Sequence, residues 1–468
     1  MQDTTLDSHP QRNKQQIPCL CTECRHSSVP QHYARQTLET LWHHKQQTQI
    51  QCHASGEHVS IQHLITTAET TTTLPARISV QPRRMQAKLV ELAQHYPVLV
   101  VCGPRQAGKT TLIRHVFADY TMVSLEDPDT REFALQDPRG FLDQYAQRVI
   151  IDEVQRAPEL LSYLQTRVDA SQQPAQYILS GSAQFHLVKG VTQTLAGRAA
   201  LFELLPLALD ELPTAQRQMP LAERLISGGY PRVCFGHVSP TDWYLDYIRN
   251  HLERDMHDLN FVRQTQLTDF RRFLKLCAAY CGQMINYERL ARDCGLKSSL
   301  IKEWLNGLEA ACILYRLPPY YKNYAKRQTK RPKLYFYDVG IVCALLDIHT
   351  AADIINGLKG SLFENWVISE FKKHYYNQHR AAPLYYWRND AKREIDLIIA
   401  QGQTLHAIEI KSGQTIRTSF FDNLQYLRHL TGDDMQRQTM IYGGQDARRQ
   451  QQTDIVPWQR LDQMMRTL

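Results

Sequence analysis

One short stretch, Gly103 to Thr110, limits what this chain can fold into more than any other feature. It reads Gly-Pro-Arg-Gln-Ala-Gly-Lys-Thr, which is the pattern of a glycine, four free residues and then Gly-Lys-Thr. An apolar run at 97–101 predicts a buried strand before it, and residues 111–117 predict an amphipathic helix after it. A strand, a glycine-rich loop and a helix in this order predict an α/β fold with a parallel sheet.

The residues of this loop carry the chemistry of phosphate binding. Glycines let successive backbone N–H groups point at phosphate oxygens, and the start of the next helix adds partial positive charge. Lys109 is predicted to reach the β- and γ-phosphates, and the Thr110 hydroxyl to bind Mg²⁺. We therefore predict ATP and Mg²⁺ as cofactors, with the nucleotide held by Gly103, Pro104, Arg105, Gln106, Ala107, Gly108, Lys109, Thr110 and Thr111.

Length and composition set broad limits on the class of protein. A chain of 468 residues has room for about three domains. Its 43% hydrophobic and 22% charged residues are typical of soluble globular proteins, and no apolar run approaches the ~20 residues that span a bilayer. We expect a cytoplasmic protein without a membrane partner. Eleven cysteines fit reduced thiols better than a disulfide framework, and the net charge of +7 permits nucleic-acid contact without requiring it.

A second apolar segment, Val149-Ile150-Ile151, ends in the two carboxylates Asp152 and Glu153. Placed beside the strand of the loop, Asp152 is predicted to orient Mg²⁺, and Glu153 to polarise the water that attacks the γ-phosphate. Arg198 is a candidate for stabilising the developing charge, either within its own chain or across a subunit interface. The pattern therefore predicts ATP hydrolysis and leaves an oligomer open.

Five motifs occur along the chain in one order: GPRQAGKTTL, VIIDEVQRAPEL, LSGSAQF, LAGR and GGYPR. In this order they resemble a group of prokaryotic AAA+-type ATPases that carry a C-terminal domain of unknown function, numbered 4143. The resemblance covers about residues 78–440 and none of the first 76. It implies a P-loop ATPase core in which Lys109, Thr110, Asp152 and Glu153 have the roles given above. It also implies that Arg198 is an arginine sensor or finger.

The middle of the chain has the pattern of a helix-turn-helix. Helical segments begin at Asn286 and at Lys297, and the turn between them contains Gly295. Apolar segments at 314–317 and 335–337 are candidates for the hairpin of a winged version. Basic residues interleaved with tyrosines at 322–333 are suited to a phosphate backbone or to protein docking. Nucleic acid and a protein partner therefore both stay open.

Four charged residues near the C-terminus form a candidate second site. Glu364 lies on a predicted helix, Asp396 in a predicted strand, and Glu409 and Lys411 two residues apart in the next strand. Because strand side chains alternate, Glu409 and Lys411 share a face. This order resembles the PD-(D/E)xK nuclease core, in which the carboxylates bind a divalent metal and the lysine helps to activate water. The alternative is a domain without catalytic activity.

We predict an α/β fold: a P-loop, AAA+-like parallel sheet, then a helical winged-helix region and a smaller nuclease-like α/β domain. One predicted function is a Mg²⁺-dependent ATPase coupled to a DNA- or RNA-related task. The alternative is an ATP-driven conformational switch or scaffold in signalling or defence. The predicted regions are a Gln/Thr/His-rich disordered extension at 1–76 in which zinc-binding cysteines stay open, the ATPase core at 77–205, a helical linker at 206–268, the winged-helix-like region at 269–345 and the nuclease-like domain at 346–468.

Overall fold

The fold is that of a computed structural model, which describes residues 81–182, 190–191, 193–236, 238–258, 261–321, 331–354 and 356–468. The predictions of a disordered or zinc-binding extension at 1–76 lie outside these residues. So does most of the basic segment at 322–333, of which only residues 331–333 are described.

A parallel sheet of five strands forms the first part of the described chain. Its order is β2-β3-β4-β1-β5, so the strand before the glycine-rich loop is flanked by β4 and β5. All residues of β1, β3 and β4 are buried, as expected for parallel strands covered on both faces. The predicted α/β class is confirmed. The strands are β1 (Val98–Cys102), β2 (Thr121–Ser124), β3 (Val149–Asp152), β4 (Tyr177–Ser180) and β5 (Ala199–Glu203).

Helices cover both faces of this sheet. Leu99 and Val101 of β1 belong to a core with residues of the first two helices, whereas Val98 and Val100 belong to the core on the other face. This alternation follows from the two-residue period of a strand. The helices are α1 (Met85–Leu92), α2 (Lys109–Val116), α3 (Pro128–Gln136), α4 (Pro138–Gln144) and α5 (Leu160–Ser171).

The chain then becomes mainly helical. A π-helical turn at Ile248–Leu252 joins two of its helices. The region also contains an antiparallel hairpin of β6 (Leu314–Leu317) and β7 (Lys333–Phe336). Its identification as a winged helix stays a prediction. The helices are α6 (Thr214–Arg217), α7 (Leu221–Ser227), α8 (Pro231–Phe235), α9 (Pro240–Tyr247), α10 (Glu253–Asp258), α11 (Leu267–Ala279), α12 (Tyr287–Cys294), α13 (Ser298–Ala310) and α14 (Val339–Leu345).

A separate mixed sheet of six strands occupies the C-terminal part, in the order β12-β13-β11-β10-β9-β8. Its central strand β10 runs antiparallel to β9 and parallel to β11. Within the described ranges, no helix has the length and apolar character needed to cross a membrane. The elements are α15 (Asn356–Asn377), β8 (Leu384–Arg388), β9 (Glu394–Gln401), β10 (Thr404–Lys411), α16 (Asp422–Thr431), β11 (Met435–Tyr442), β12 (Arg448–Gln450), β13 (Thr453–Pro457) and α17 (Leu461–Met465).

Candidate active site and C-terminal charge cluster

The glycine-rich loop leaves the carboxyl end of β1 and enters α2. Gly103 and Gly108 have φ angles of 146° and 95°, and a Cβ at Gly103 would lie 2.2 Å from a backbone oxygen. Both positions therefore favour glycine. The Lys109 ammonium folds over the loop and donates to the carbonyls of Gly103 at 3.1 Å and Pro104 at 2.9 Å. Burial lowers the pKa of Lys109, whereas the nearby carboxylates act in the opposite direction.

Asp152, at the end of β3, faces the start of α2. The Thr110 hydroxyl donates to its carboxylate, with Oγ1–Oδ distances of 3.2 and 3.4 Å, and the Ser180 hydroxyl at the end of β4 also donates to it. Hydroxyl and carboxylate oxygens are ligands that Mg²⁺ prefers. Thr110 and Asp152 are far apart in the sequence but adjacent here, and this pair of residues fits a Mg²⁺ ion.

Glu153 follows Asp152 in a left-handed backbone conformation, with φ 56° and ψ 41°. This conformation is uncommon for a residue with a side chain and is concentrated at functional sites. The Glu153 carboxylate accepts a hydrogen bond from Gln155 Nε2, which also donates to Ser182 Oγ at 3.0 Å. Gln155 is a functional candidate that was not predicted, because a glutamine after a strand carries no recognisable signal in the sequence.

Arg198 lies at the amino-terminal end of strand β1, whereas the glycine-rich loop leaves its carboxyl end. The Arg198 carbonyl accepts from the N–H of Val98 at the start of β1, whereas the loop leaves the far end of this five-residue strand. With a rise of about 3.3 Å per residue, the two ends of strand β1 are about 16 Å apart. The Arg198 guanidinium pairs with Asp169 of α5, with Nη2–Oδ2 at 2.8 Å. Arg198 therefore does not lie at the nucleotide loop of its own chain.

Two side chains of the loop are tied to the helical region. Arg105 Nε donates to both oxygens of Asp255 in α10, at 2.7 and 2.9 Å. Gln106 Nε2 lies 2.6 Å from Nε2 of His251 in the π-helical turn. Although burial opposes it, the Asp255 carboxylate raises the pKa of Arg105. Isolated π-helical turns are frequent at functional sites. We refer to these two contacts as the loop tether.

A further arginine holds the base of the loop. Arg83, just before α1, is buried and donates to the carbonyls of Ala107 at 2.8 Å and Leu205 at 2.7 Å. Its guanidinium also pairs with Glu211 at 3.0 Å. Arg83 was not predicted from the sequence because its partners lie in distant parts of the chain.

The four residues predicted for the C-terminal site lie together. Asp396 on β9 and Glu409 on β10 are held beside Lys411, whose ammonium lies 2.6 Å from Glu409 Oε1 and 3.7 Å from Asp396 Oδ2. The backbone N–H of Ile410 donates to Asp396 Oδ2 at 2.8 Å. Burial is the main cause of the raised pKa of Glu409, and the nearby charge of Glu364 on α15 adds to it.

Lys333 of β7 also lies in this group, although the sequence pattern predicted an exposed position for it. It belongs to the basic segment proposed for phosphate contact, yet its side chain is only 4% exposed. Its ammonium lies 2.9 Å from Glu364 Oε1 and 2.6 Å from Glu394 Oε1, because strand pairing turns the side chain inward. We refer to Lys333, Glu364, Glu394, Asp396, Glu409 and Lys411 as the charge cluster.

Lysine side chains lie among the carboxylates of the charge cluster. Among the residues with described positions, no three His, Cys, Asp or Glu side chains are grouped so that they could hold a metal ion. Burial raises the pKa of Glu409 to about 8, with a further contribution from Asp396 and opposition from Lys411. Glu409 Oε2 is buried and has no hydrogen-bond partner within the described ranges. Lys333 and Lys411 therefore offset part of the negative charge of these carboxylates.

Comparisons with protein families match three consecutive parts of the chain. An AAA domain matches residues 95–213, a domain of unknown function (DUF8612) matches 219–352, and a domain of unknown function (DUF4143) matches 359–461. Two curated relatives, the uncharacterized proteins Rv2008c of Mycobacterium tuberculosis and Mb2031c of Mycobacterium bovis, are each 32% identical over 349 residues. These alignments cover 73% of this chain and 76% of each relative.

Solved structures that match this chain have lower sequence identity. The Walker-type ATPase PABY2304 of Pyrococcus abyssi has 16% identity and a TM-score of 0.35, covering 56% of this chain and 94% of that one. The RuvB Holliday junction branch migration motor of Thermotoga maritima has 17% identity and a TM-score of 0.26, covering 51% and 93%. AMPPCP-bound DnaA from Aquifex aeolicus has 15% identity and a TM-score of 0.26, covering 48% and 85%.

Proposed function

We propose that this chain, which belongs to the family of AAA-type P-loop ATPases with a C-terminal DUF4143 domain, is a Mg²⁺-dependent ATP hydrolase that acts as a conformational switch. The observation that carries the proposal is the convergence of Lys109, Thr110 and Asp152 at the loop. The loop tether supports the second part of it, because it links the nucleotide site to the helical region.

The proposed mechanism assigns one task to each residue. Lys109 exchanges its carbonyl partners for oxygens of the β- and γ-phosphates. Thr110 and Asp152 would hold Mg²⁺, which supplies positive charge to the phosphates when it is bound. Glu153 orients the attacking water and accepts its proton, and Gln155 holds the Glu153 carboxylate in place.

Phosphate release at saturating ATP tests this proposal. We expect hydrolysis by the natural chain with Mg²⁺ and none after chelation. Glu153→Gln removes the base but keeps the loop, so it should bind ATP and lose about 10²-fold or more in kcat. The exposed carboxylate variant Glu159→Gln is the matched control and should keep full activity. A Lys109→Ala chain that binds and hydrolyses ATP normally would contradict the proposal.

Nucleic acid is the second candidate function, as a ligand of the winged-helix-like region. Four basic side chains on or beside α12 and α13 are exposed, which favours contact with a phosphate backbone: Arg289, Arg292, Lys297 and Lys302. Anisotropy titrations with labelled duplex DNA and RNA at several salt concentrations test this. We expect Lys297→Glu to weaken binding and reduce its salt dependence, and the exposed Lys392→Glu to leave both unchanged. No binding, and no stimulation of ATP hydrolysis by either nucleic acid, would exclude this candidate.

A further inference from the structure

We propose that the charge cluster is a metal-free ionic lock that fastens the β6–β7 hairpin to the C-terminal sheet, and that it is not a metal-dependent catalytic centre. Three features support this role: cations already lie among the carboxylates, at least one oxygen of each carboxylate is already engaged, and backbone contacts join the same two elements. None of these features depends on the nucleotide site.

Internal cations already compensate the carboxylates of the cluster. Lys333 lies between Glu364 and Glu394, and Lys411 contacts Glu409 and Asp396. Arg388 adds a third cation, with its Nη1 atom 2.7 Å from Glu394 Oε2. Four carboxylates therefore face three permanent cations, and one proton on a carboxylate makes the group neutral. A divalent ion would add positive charge beside the buried Lys333 ammonium and the partly buried Lys411 ammonium, which is unfavourable.

At least one oxygen of each carboxylate in the cluster is also engaged by a donor of the protein. Glu364 Oε1 accepts from both Lys333 and the hydroxyl of Tyr335. Asp396 Oδ2 accepts from a backbone N–H, and Glu409 Oε1 accepts from Lys411. Binding of a metal to these same oxygens would require the hydrogen bonds to break. Glu409 Oε2 is buried without a hydrogen-bond partner among the described residues, and burial raises the pKa of this carboxyl, which favours a proton on it.

Backbone contacts beside the cluster join the same two elements. The segment after β6 pairs with β8, with Tyr386 N donating to Pro318 O at 3.1 Å and Tyr320 N donating to Tyr386 O at 2.6 Å. The Tyr386 hydroxyl donates to the carbonyl of Arg331 at 2.6 Å, just before β7. The Lys333 ammonium lies 5.6 Å from the centre of the Tyr386 ring. Both strands of the hairpin are therefore held at one junction.

Equilibrium binding of Mn²⁺ to the full chain without nucleotide tests the absence of a metal site. A Thr110→Ala background removes the contribution of the nucleotide site. We expect no bound Mn²⁺ that depends on the charge cluster. Binding of about one equivalent that disappears in Glu409→Gln and in Asp396→Asn would overturn the proposal.

Substitution of Lys333 tests the lock itself. Lys333→Met leaves Glu364 and Glu394 without their ammonium partner, so we expect the melting temperature to fall by about 5 °C or more. Lys392→Met, an exposed lysine before β9, should leave it unchanged. Adding Glu364→Gln to Lys333→Met should recover part of the loss. If Lys333→Met is as stable as the natural chain, the lock is wrong. If Lys333→Met does not fold, Mn²⁺ binding to the natural chain still tests whether the charge cluster holds a metal ion.

Discussion

Gly228 occupies a backbone conformation that only glycine adopts readily. Its φ and ψ angles are 56° and −156°, and a Cβ would lie 1.9 Å from the Tyr244 hydroxyl and 2.2 Å from Asp338 Oδ1. The next residue, Gly229, donates its N–H to Asp338 Oδ2 at 2.6 Å. The glycines of the GGYPR motif therefore let a turn approach a buried aspartate, a role that the motif alone does not reveal.

Gly228→Ala should lower the free energy of unfolding by about 3 kcal/mol or more, because it combines a disfavoured backbone with a steric clash. Gly360→Ala is the matched control. Gly360 lies in α15, and a Cβ added there would meet no described atom within 4 Å, so we expect a gain of up to about 1 kcal/mol. Urea unfolding of both variants measures the difference. Equal shifts in the two variants would contradict this account.

Glu409 should make stability depend on pH. Its pKa is raised to about 8 from the usual 4.5, so the folded chain holds a proton that the unfolded chain releases. This contribution is present below the unfolded pKa and is lost as pH rises through the folded value. The unfolding free energy should therefore fall between about pH 5 and 8, by up to about 1.4 kcal/mol per pH unit.

Glu409→Gln should remove this component, so the variant gains stability relative to the natural chain as pH rises. Unfolding curves at several values between pH 5 and 8.5 measure it, with the exposed Glu303→Gln as the control. Parallel pH profiles for Glu409→Gln and the natural chain would show that Glu409 does not titrate in this range.

At the scale of elements, the loop tether connects the first strand–helix unit to the π-helical turn and α10. Asp255→Asn weakens the charge-assisted contact with Arg105. We expect ATP to bind within about tenfold of its natural affinity, whereas ATP should no longer change hydrogen exchange over residues 247–258. The exposed Asp246→Asn on α9 is the control and should keep this response. A full ATP response in Asp255→Asn would show that the tether does not transmit the nucleotide state.

The elements differ in how far the sequence predicts them. Strands β1, β3 and β4 are predictable because they are buried on both faces and therefore read as apolar runs. Strand β5 alternates between buried and half-buried residues and follows a turn, so its short pattern was not recognised. The helix predicted to carry Glu364 and the strands predicted to carry Asp396 and Glu409 are present as α15, β9 and β10.

Side-chain partners were harder to predict than elements. Thr110 and Asp152 were predictable because the fixed motif spacing and the parallel sheet place both at the carboxyl ends of the strands. Arg105 and Asp255 are 150 residues apart, and Lys333 and Glu364 are 31 apart. No local spacing connects either pair, since tertiary packing alone brings them together. This is why Lys333 was interpreted as an exposed basic residue although it is buried among carboxylates.

At the scale of the whole molecule, the position of Arg198 bears on assembly. Arg198 lies at the end of the strands opposite to its own nucleotide loop. Its guanidinium contacts Asp169 on the surface of α5. An arginine at this end of the strands can complete a nucleotide site only if a second copy of the chain places its own glycine-rich loop next to it. Repeated head-to-tail contacts of this kind close into rings when the rotation permits.

Mixing two inactive variants tests this arrangement. Glu153→Gln keeps Arg198 but lacks the base, and Arg198→Ala keeps Glu153 but lacks the arginine. If each site combines Glu153 of one copy with Arg198 of its neighbour, random equal mixing restores about one quarter of the sites. Arg148→Ala, whose guanidinium is exposed and paired with Asp119, is the control and should be active alone. Phosphate release that stays at the mean of the two separate variants would contradict a site shared between two copies, because mixing would then have formed no complete site.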